Sequence, residues 1–358
     1  MMVTGSLECG GAERVFADMA NYWRKKGLTV VLATWAGPST EDFYELDPGV
    51  QRSWLDVPPG GPTPLARLLA HIRRIRKLRR LVLDLRPDVV LSFIDTSNVM
   101  TLMACVGLRR RVVVSERTNG AVTSTLPRIW RALRAVTYRS ADVVITQTRD
   151  AARWVEGTCH VRPVVIPNPL RQLPDIKMPR EAVVLAAGRL SHEKGFDILI
   201  SAFAGIARDF PDWRLVILGV GPENVPLRSM CAALRVEARV EFLPPTKDIE
   251  SWFARASLVV QPSRLEGFPN VILEAMGMGA AVISADCRSG PAEIIEDGVN
   301  GRLVPPEDPN RLAEVMAELM RDPNQRDRLG LEARRVRVTF AQDFIMQEWE
   351  HCILSEFA

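Results

Sequence analysis

The chain has 358 residues, of which 47% are hydrophobic and 25% charged, and its formal net charge at pH 7 is only +3. At about 150 residues per domain this length suggests two domains, and the balance excludes a disordered chain, a membrane-spanning bundle and a wholesale nucleic-acid binder. The six cysteines, at 9, 105, 159, 231, 287 and 352, form no CxxC pair and have no His-x3-His partner. Neither a zinc site nor a disulfide framework is expected, and the cysteines read as reduced packing residues of a cytosolic protein. No apolar run approaches the length of a membrane span, and "MMVTGSLECGG" lacks the basic-then-apolar layout of a signal peptide.

In chain order, "MMVTG" is a short first strand, and "GSLECGGAERV" a glycine-rich loop leading into a helix. Gly10 and Gly11 let a backbone approach a substrate closely, although the loop is neither GxGxxG nor a Walker A sequence. After the strand "LTVVLAT" comes "LARLLAHIRRIRKLRRLVLDLRP", whose leucines, isoleucines and valines fall at helical spacing from Leu65 to Leu85. Arg67, His71, Arg73, Arg74, Arg76, Lys77, Arg79 and Arg80 fill the intervening positions. Such a run is either a solvated face or a helix that meets anionic lipid or a diphosphate; Arg73, Arg76, Lys77 and Arg80 are the candidates for that contact. The strands "DVVLSF", "RVVVSE" and "DVVITQ" follow, and then the Pro-rich stretch from Val164 to Pro179, which reads as a linker.

A second series begins with "AVVLAAG" and continues through "RLVILG", "RVEFLP", "SLVVQPS" and "AAVISAD". Continuous apolar strands alternating with helices imply parallel sheets covered on both faces, a doubly wound α/β fold. The expected division is a first Rossmann-like domain over 1–167, a second over 168–338, and a C-terminal helix over 339–358 returning to the first domain or finishing the second. Ligands of such sheets bind at the carboxyl ends of strands, so the expected site is a cleft between two facing halves.

In "GRLSHEKGFDILI", Arg189 and Lys194 stand just before a helix, beside Gly188, where side-chain charge and free backbone N–H groups add to form an anion site. Taken alone, the pair can equally be two solvated surface cations. In "SRLEGFPNVILEAMGMG", Pro269 can start a helix whose terminus would present the amides of Gly267, Phe268 and Asn270 to a phosphate. Glu274 then lies one turn in, placed to accept both hydroxyls of a ribose, while Glu266 points beyond the phosphates. The plainer alternative makes Glu274 a helix-dipole partner and Glu266 an exposed loop charge. "GVGPEN" contains GxG, but Pro222 and the missing third glycine argue against a dinucleotide fingerprint, and with it against an NAD-dependent oxidoreductase.

Taken together, "GGAERV", "VIPNPL", "AAGRLSHEKGFDILISAF", "LEGFPNVILEAMGMG" and "SGPAEIIEDGVNGRLVPPED" resemble the retaining glycosyltransferases of family 4, which have the GT-B fold. The resemblance implies that Arg189 and Lys194 neutralise the donor diphosphate, Glu274 holds the ribose and Glu266 the transferred sugar, with Asn168 and the Gly10-Gly11 loop across the cleft. It implies a metal-independent reaction without cofactor, in which cations and amides stabilise the leaving nucleotide diphosphate and no protein nucleophile is needed. Many relatives carry a histidine where this chain reads "VVVSERTNG", which puts Glu116 or Arg117 in that neighbourhood. "SERTN" and "DCRSGPAEII" look most like bacterial enzymes, N-acetylgalactosamine transferases among them, that extend glycans on polyprenyl diphosphate. The expectation is therefore a UDP-N-acetylhexosamine donor, a polyprenyl-diphosphate-linked acceptor, no nucleic-acid partner, and a peripheral place on the cytoplasmic face of an anionic plasma membrane. UDP-hexose and GDP-mannose donors stay open, as does a non-catalytic nucleotide-sugar-binding scaffold.

Overall fold

The computed structural model describes residues 1–58, 60–117, 120 and 126–354. These fall into two compact units, one of Met1–Pro169 with the segment from Asp343, the other of Leu170–Gln342. In the first, β1 (Met2–Thr4), β2 (Val31–Thr34), β3 (Gln51–Trp54), β4 (Val89–Phe93), β5 (Arg111–Glu116), β6 (Val143–Thr146) and β7 (Val164–Val165) form one sheet in the order β3-β2-β1-β4-β5-β6-β7. Every pairing is parallel. The start of the Pro-rich stretch is thus an edge strand rather than linker, because Val164 and Val165 precede the first proline.

Alternation along the buried strands builds a core on each face. On one side Leu32, Leu91, Phe93, Val113 and Ile145 pack against Phe16 and Met19 of the helix Gly11–Lys25. Ile345, Met346, Trp349 and Ile353 of the helix Gln342–Leu354 join this layer, with Trp349 5.9 Å from the Phe93 ring. Each fully buried side chain of this size contributes about 1.5–3 kcal/mol. On the other face Ala33, Val90, Val112, Val114 and Val144 meet Leu78, Val82, Val99 and Leu102.

The helix Pro64–Leu85 starts where Thr63 caps the Ala66 amide at 3.2 Å, with Pro64 in its first turn, and ends at Arg86, whose left-handed φ of 48° precedes Pro87. Its apolar positions divide between core and solvent. Only Ala70, Leu78 and Val82 are buried, and Leu65, Leu68, Leu69, Leu83 and Leu85 are exposed.

The second unit repeats the plan with β8 (Glu181–Ala187), β9 (Arg214–Leu218), β10 (Val240–Leu243), β11 (Ala256–Gln261), β12 (Ala281–Ala285) and β13 (Arg302–Val304), in the order β10-β9-β8-β11-β12-β13, all parallel. The order reverses between β8 and β11, and in the first sheet between β1 and β4. "GVGPEN" is explained here by close packing. A Cβ on Gly219 would lie 1.9 Å from the Gly188 carbonyl oxygen, and one on Gly221 2.2 Å from that of Leu190. The loops after β8 and β9 therefore run backbone against backbone, with Leu190 N–H donating to the Val220 carbonyl at 2.9 Å.

Candidate functional site

In a doubly wound sheet the loops at the strand order's reversal splay apart and leave a crevice at the carboxyl ends of the strands. The β8 and β11 loops of the second unit carry most of the residues singled out from the sequence. Past β8, the chain passes Gly188 and the exposed Arg189 and makes a tight turn, His192–Lys194. It enters the helix Phe196–Ile206 through Gly195, whose φ of 66° and the 2.2 Å from its missing Cβ to the Pro262 carbonyl oxygen both require glycine. Lys194 thereby meets Glu266 of the β11 loop at 2.7 Å. Ser263 Oγ donates to the same Glu266 Oε1 at 2.7 Å, and Gln261 Nε2 is a third donor to it. Three donors converging on one oxygen fix a carboxylate that is only 6% exposed.

Arg264, which sequence reasoning missed, ties the two loops together. Its guanidinium donates to both Asp197 carboxylate oxygens, at 2.8 and 2.7 Å, to Glu307 at 3.0 Å and to the His192 carbonyl at 2.9 Å. The Arg264 hydrogen bond is the largest influence on Asp197 and holds its carboxyl below the ordinary range. The signal was present as Asp197 in "GFDIL" and Arg264 in "SRLEG", but they lie 67 residues apart.

The helix beyond the loop spans Asn270–Gly277 with Pro269 as its N-cap, one position earlier than a first-turn proline. This corrects one expectation: the Asn270 amide does not point outward, because it donates to the Phe268 carbonyl at 3.0 Å. Phe268 itself is packed in the core beside Phe340. Glu274 is buried on the helix, and Gly267 faces Gly290, whose missing Cβ would stand 3.6 Å from the Gly267 carbonyl oxygen.

In the first unit, Gly10 is the N-cap and Gly11 the first residue of their helix. The Gly10 amide is latched: it donates to Tyr44 Oη at 3.2 Å, which donates back to the Gly10 carbonyl at 2.9 Å. Strand alternation sends Glu116 and Arg117 to opposite faces of the sheet. Glu116, at the end of β5, shares the face of Val112 and Val114 and turns into that core. Tyr138 Oη donates to it at 2.8 Å and Arg134 lies 3.7 Å away. Burial pushes its carboxyl up to about 7, against the pull of Arg134. Arg117 takes the opposite face, with its guanidinium 4.3 Å above the Phe93 ring and Nη2 donating to Asn168 Oδ1 at 2.5 Å.

Arg73, Arg76, Lys77 and Arg80 stand together on the exposed side of their helix, along a groove of about 620 Å³ that Val57, Pro58 and Leu69 also line. A second cavity, of about 570 Å³, shares Val57 and Pro58 and is walled by Trp35, His71 and Trp130. His71 packs edge-on against Trp130 at 4.9 Å, its Nδ1 is buried without a partner, and burial, then Arg74, lowers its pKa. No helix among the described residues is long and apolar enough to cross a membrane.

Comparison with known proteins agrees with this architecture. Residues 9–171 match the family model described as Glycosyltransferase Family 4, and residues 175–336 that described as Glycosyl transferases group 1. An uncharacterized glycosyltransferase of Haemophilus influenzae is 26% identical over 95% of each chain. A Campylobacter jejuni protein named GalNAc-alpha-(1->4)-GalNAc-alpha-(1->3)-diNAcBac-PP-undecaprenol alpha-1,4-N-acetyl-D-galactosaminyltransferase is 27% identical over 97% of this chain and 96% of its own. Among solved structures, sucrose-phosphate synthase from Thermosynechococcus elongatus superposes with a TM-score of 0.84 at 18% identity, covering 98% of this chain and 97% of its own. Anabaena HepE in complex with UDP gives 0.80 at 21% identity over 98% of both chains. Two Rossmann-like units with these neighbours define a glycosyltransferase of the GT-B fold. The chain belongs to glycosyltransferase family 4.

Proposed function

We propose that this enzyme transfers an N-acetylhexosamine, with retention, from a UDP-linked donor to a glycan carried on polyprenyl diphosphate. The observation that supports the reading best is the Lys194–Glu266 pair, 2.7 Å apart at the reversal of the second sheet with Arg189 exposed beside it. In this reading Arg189 and Lys194 neutralise the departing diphosphate, Glu266 grips hydroxyls of the sugar and Glu274 the ribose. The bond from the sugar's anomeric carbon to the phosphate breaks as the bond to the acceptor oxygen forms on the same face. The acceptor's proton passes to the leaving phosphoryl oxygen, and the cations stabilise the charge that develops there.

The acceptor assignment rests on the four exposed cations along the groove of the Pro64–Leu85 helix, and on the exposed leucines at that helix's start, a combination suited to a lipid diphosphate at an anionic surface. The printed name of the Campylobacter relative, which includes a PP-undecaprenol carrier, points the same way. The neighbouring indole-lined cavity suits stacking against a sugar ring. Release of nucleotide from UDP-N-acetylhexosamines, UDP-hexoses and GDP-mannose, measured with a polyprenyl-diphosphate glycan, tests the reading. Transfer from a UDP-N-acetylhexosamine is expected. Replacing Arg73, Arg76, Lys77 and Arg80 by Ser is expected to reduce both binding to anionic vesicles and transfer to the lipid-linked acceptor, with donor hydrolysis little changed. A quadruple variant that keeps both properties overturns the lipid assignment, and no turnover of any donor overturns the reading as a whole.

A further inference from the structure

Arg117 is a buried cation with two of its three guanidinium nitrogens unpartnered. The residue is 5% exposed, and its Nε and Nη1 are both buried without a hydrogen-bond partner. It makes no ion pair with a carboxylate among the described residues. Glu13 is its charged neighbour, acting at a distance, and the Glu13 carboxylate is folded back over Gly10 and bonds a backbone amide of its own turn. What does hold Arg117 is neutral: the Phe93 ring at 4.3 Å and Asn168 Oδ1 at 2.5 Å. Gln147 completes the set: its amide oxygen accepts from Asn168 Nδ2 at 2.8 Å and from Arg117 Nη2 at 3.1 Å, and its nitrogen donates to the Arg117 carbonyl at 2.9 Å. Phe93, Arg117, Gln147 and Asn168 come from the carboxyl ends of β4, β5, β6 and β7, so four successive strands end at this one guanidinium.

A buried cation is ordinarily paired, since an uncompensated charge in a dry site costs several kcal/mol. Here burial lowers the Arg117 pKa to about 9, Glu13 recovering only part of the loss. A sugar hydroxyl would supply one acceptor and no charge. An oxyanion supplies both, and the fixed polar neighbours would orient it.

We propose that Arg117, positioned by Asn168 and Gln147, is the receptor of an oxyanion carried by a substrate, either a phosphoryl group or the carboxylate of an acidic sugar. This goes beyond the proposed transfer reaction and does not depend on the diphosphate contacts assigned to the second unit.

The test removes those contacts first. In the full-length Arg189→Ala/Lys194→Ala variant, pyrophosphate and methyl glucuronide are titrated by calorimetry, with and without Arg117→Gln and Arg117→Lys. Binding of at least one probe is expected, about 10- to 100-fold weaker with Arg117→Gln, as for loss of a charge-assisted hydrogen bond, and partly restored with Arg117→Lys. Response to pyrophosphate alone identifies a phosphoryl group, and response to the glucuronide alone a carboxylated sugar. Without ligand, Arg117→Gln should melt no lower than its parent, because it removes an uncompensated charge. Failure of both probes to bind, equal affinity with and without Arg117→Gln, or a melting temperature lowered by several degrees overturns the proposal. Transfer rates of the Arg189→Ala/Lys194→Ala variant judge the proposed reaction separately.

Discussion

Replacing Arg264 tests whether the register between the β8 and β11 loops, rather than the cations alone, sets the rate. Arg264→Ala removes four hydrogen bonds at once: two to Asp197, one to Glu307 and one to the His192 carbonyl. Bonds to charged groups contribute about 1.5–3 kcal/mol each when dry. The Arg264 side chain is 15% exposed, but Asp197 is 41% and Glu307 67% exposed, so screening reduces the total to about 2 kcal/mol. Because Arg264 holds the Asp197 pKa below its ordinary 3.8, the stability from this pair is complete above that value and is lost as pH falls through the lower, folded one. The kinetic effect should be larger than the thermodynamic one. The guanidinium shares the joining of the Lys194 turn to the Glu266 loop with the Arg264 and Leu265 amides, which donate to the Glu193 carbonyl at 2.8 and 3.3 Å, but it alone anchors the loop to the start of the following helix at Asp197, and a displacement of about 1 Å costs on the order of 100-fold in rate. Arg264→Lys should recover little, since one ammonium cannot span a bidentate carboxylate and a carbonyl together. The assay is kcat/KM for the nucleotide-sugar donor beside denaturant unfolding at pH 7. A folded Arg264→Ala enzyme with the parent's kcat/KM, or full rescue by Arg264→Lys, refutes the reasoning.

Arg189→Ala/Lys194→Ala should lower transfer by about 100-fold or more without loss of fold, checked by initial rates and circular dichroism. Glu274→Ala should weaken calorimetric binding of UDP, whereas Glu266→Ala should lower transfer more than UDP binding; equal losses in both would show the two carboxylates misassigned. Glu116 prefers its neutral form when folded, so its contribution is complete below pH 4.5 and is lost as pH rises to about 7; the unfolding free energy of the parent minus that of Glu116→Gln should fall by about 3 kcal/mol across that window. A pH-independent difference in urea melts would refute it. Gly219→Ala should destabilise the second unit by about 2 kcal/mol or more in thermal melts, since the new methyl meets a backbone oxygen that cannot move alone.

Ten of the thirteen strands among the described residues were legible, most of them as runs of Val, Leu, Ile and Ala, because a strand buried on both faces has no polar positions to break the run. Those that escaped are short or at an edge. Gln51–Trp54 and Arg302–Val304 offer solvent a face or an end and carry little apolar signal, and Val164–Val165 was masked by the prolines after it. For the site, Arg189, Lys194, Glu266 and Glu274 were legible because each follows a strand and adjoins a helix within a short span. The partners that fix them were not. Arg264 finds Asp197 across 67 residues, and Lys194 finds Glu266 across 72, distances at which pairing is decided by sheet order. Nor could sequence say into which of the two buried layers Glu116 and Arg117 each turn, since alternation gives opposite faces but not their names. The Asn270 amide was misread because a proline's preference for the first helical turn does not specify whether it is the cap or the first residue.

The packing of Trp349 and Ile353 against strands that end before Val165 makes the second unit an insertion within the first. During synthesis, the second sheet, complete by Val304, is out of the ribosome and able to fold before the first unit possesses the side chains that seal one of its faces. At about 5–20 residues per second, roughly 10–40 s separate the making of Pro169 from that of Ile353. For that interval Phe16, Leu91 and Phe93 stay open along the flank that Trp349 will cover, a surface for chaperones to guard. A nascent chain halted before residue 343 would therefore carry a finished second half and an unfinished first, the reverse of the order in which they were made.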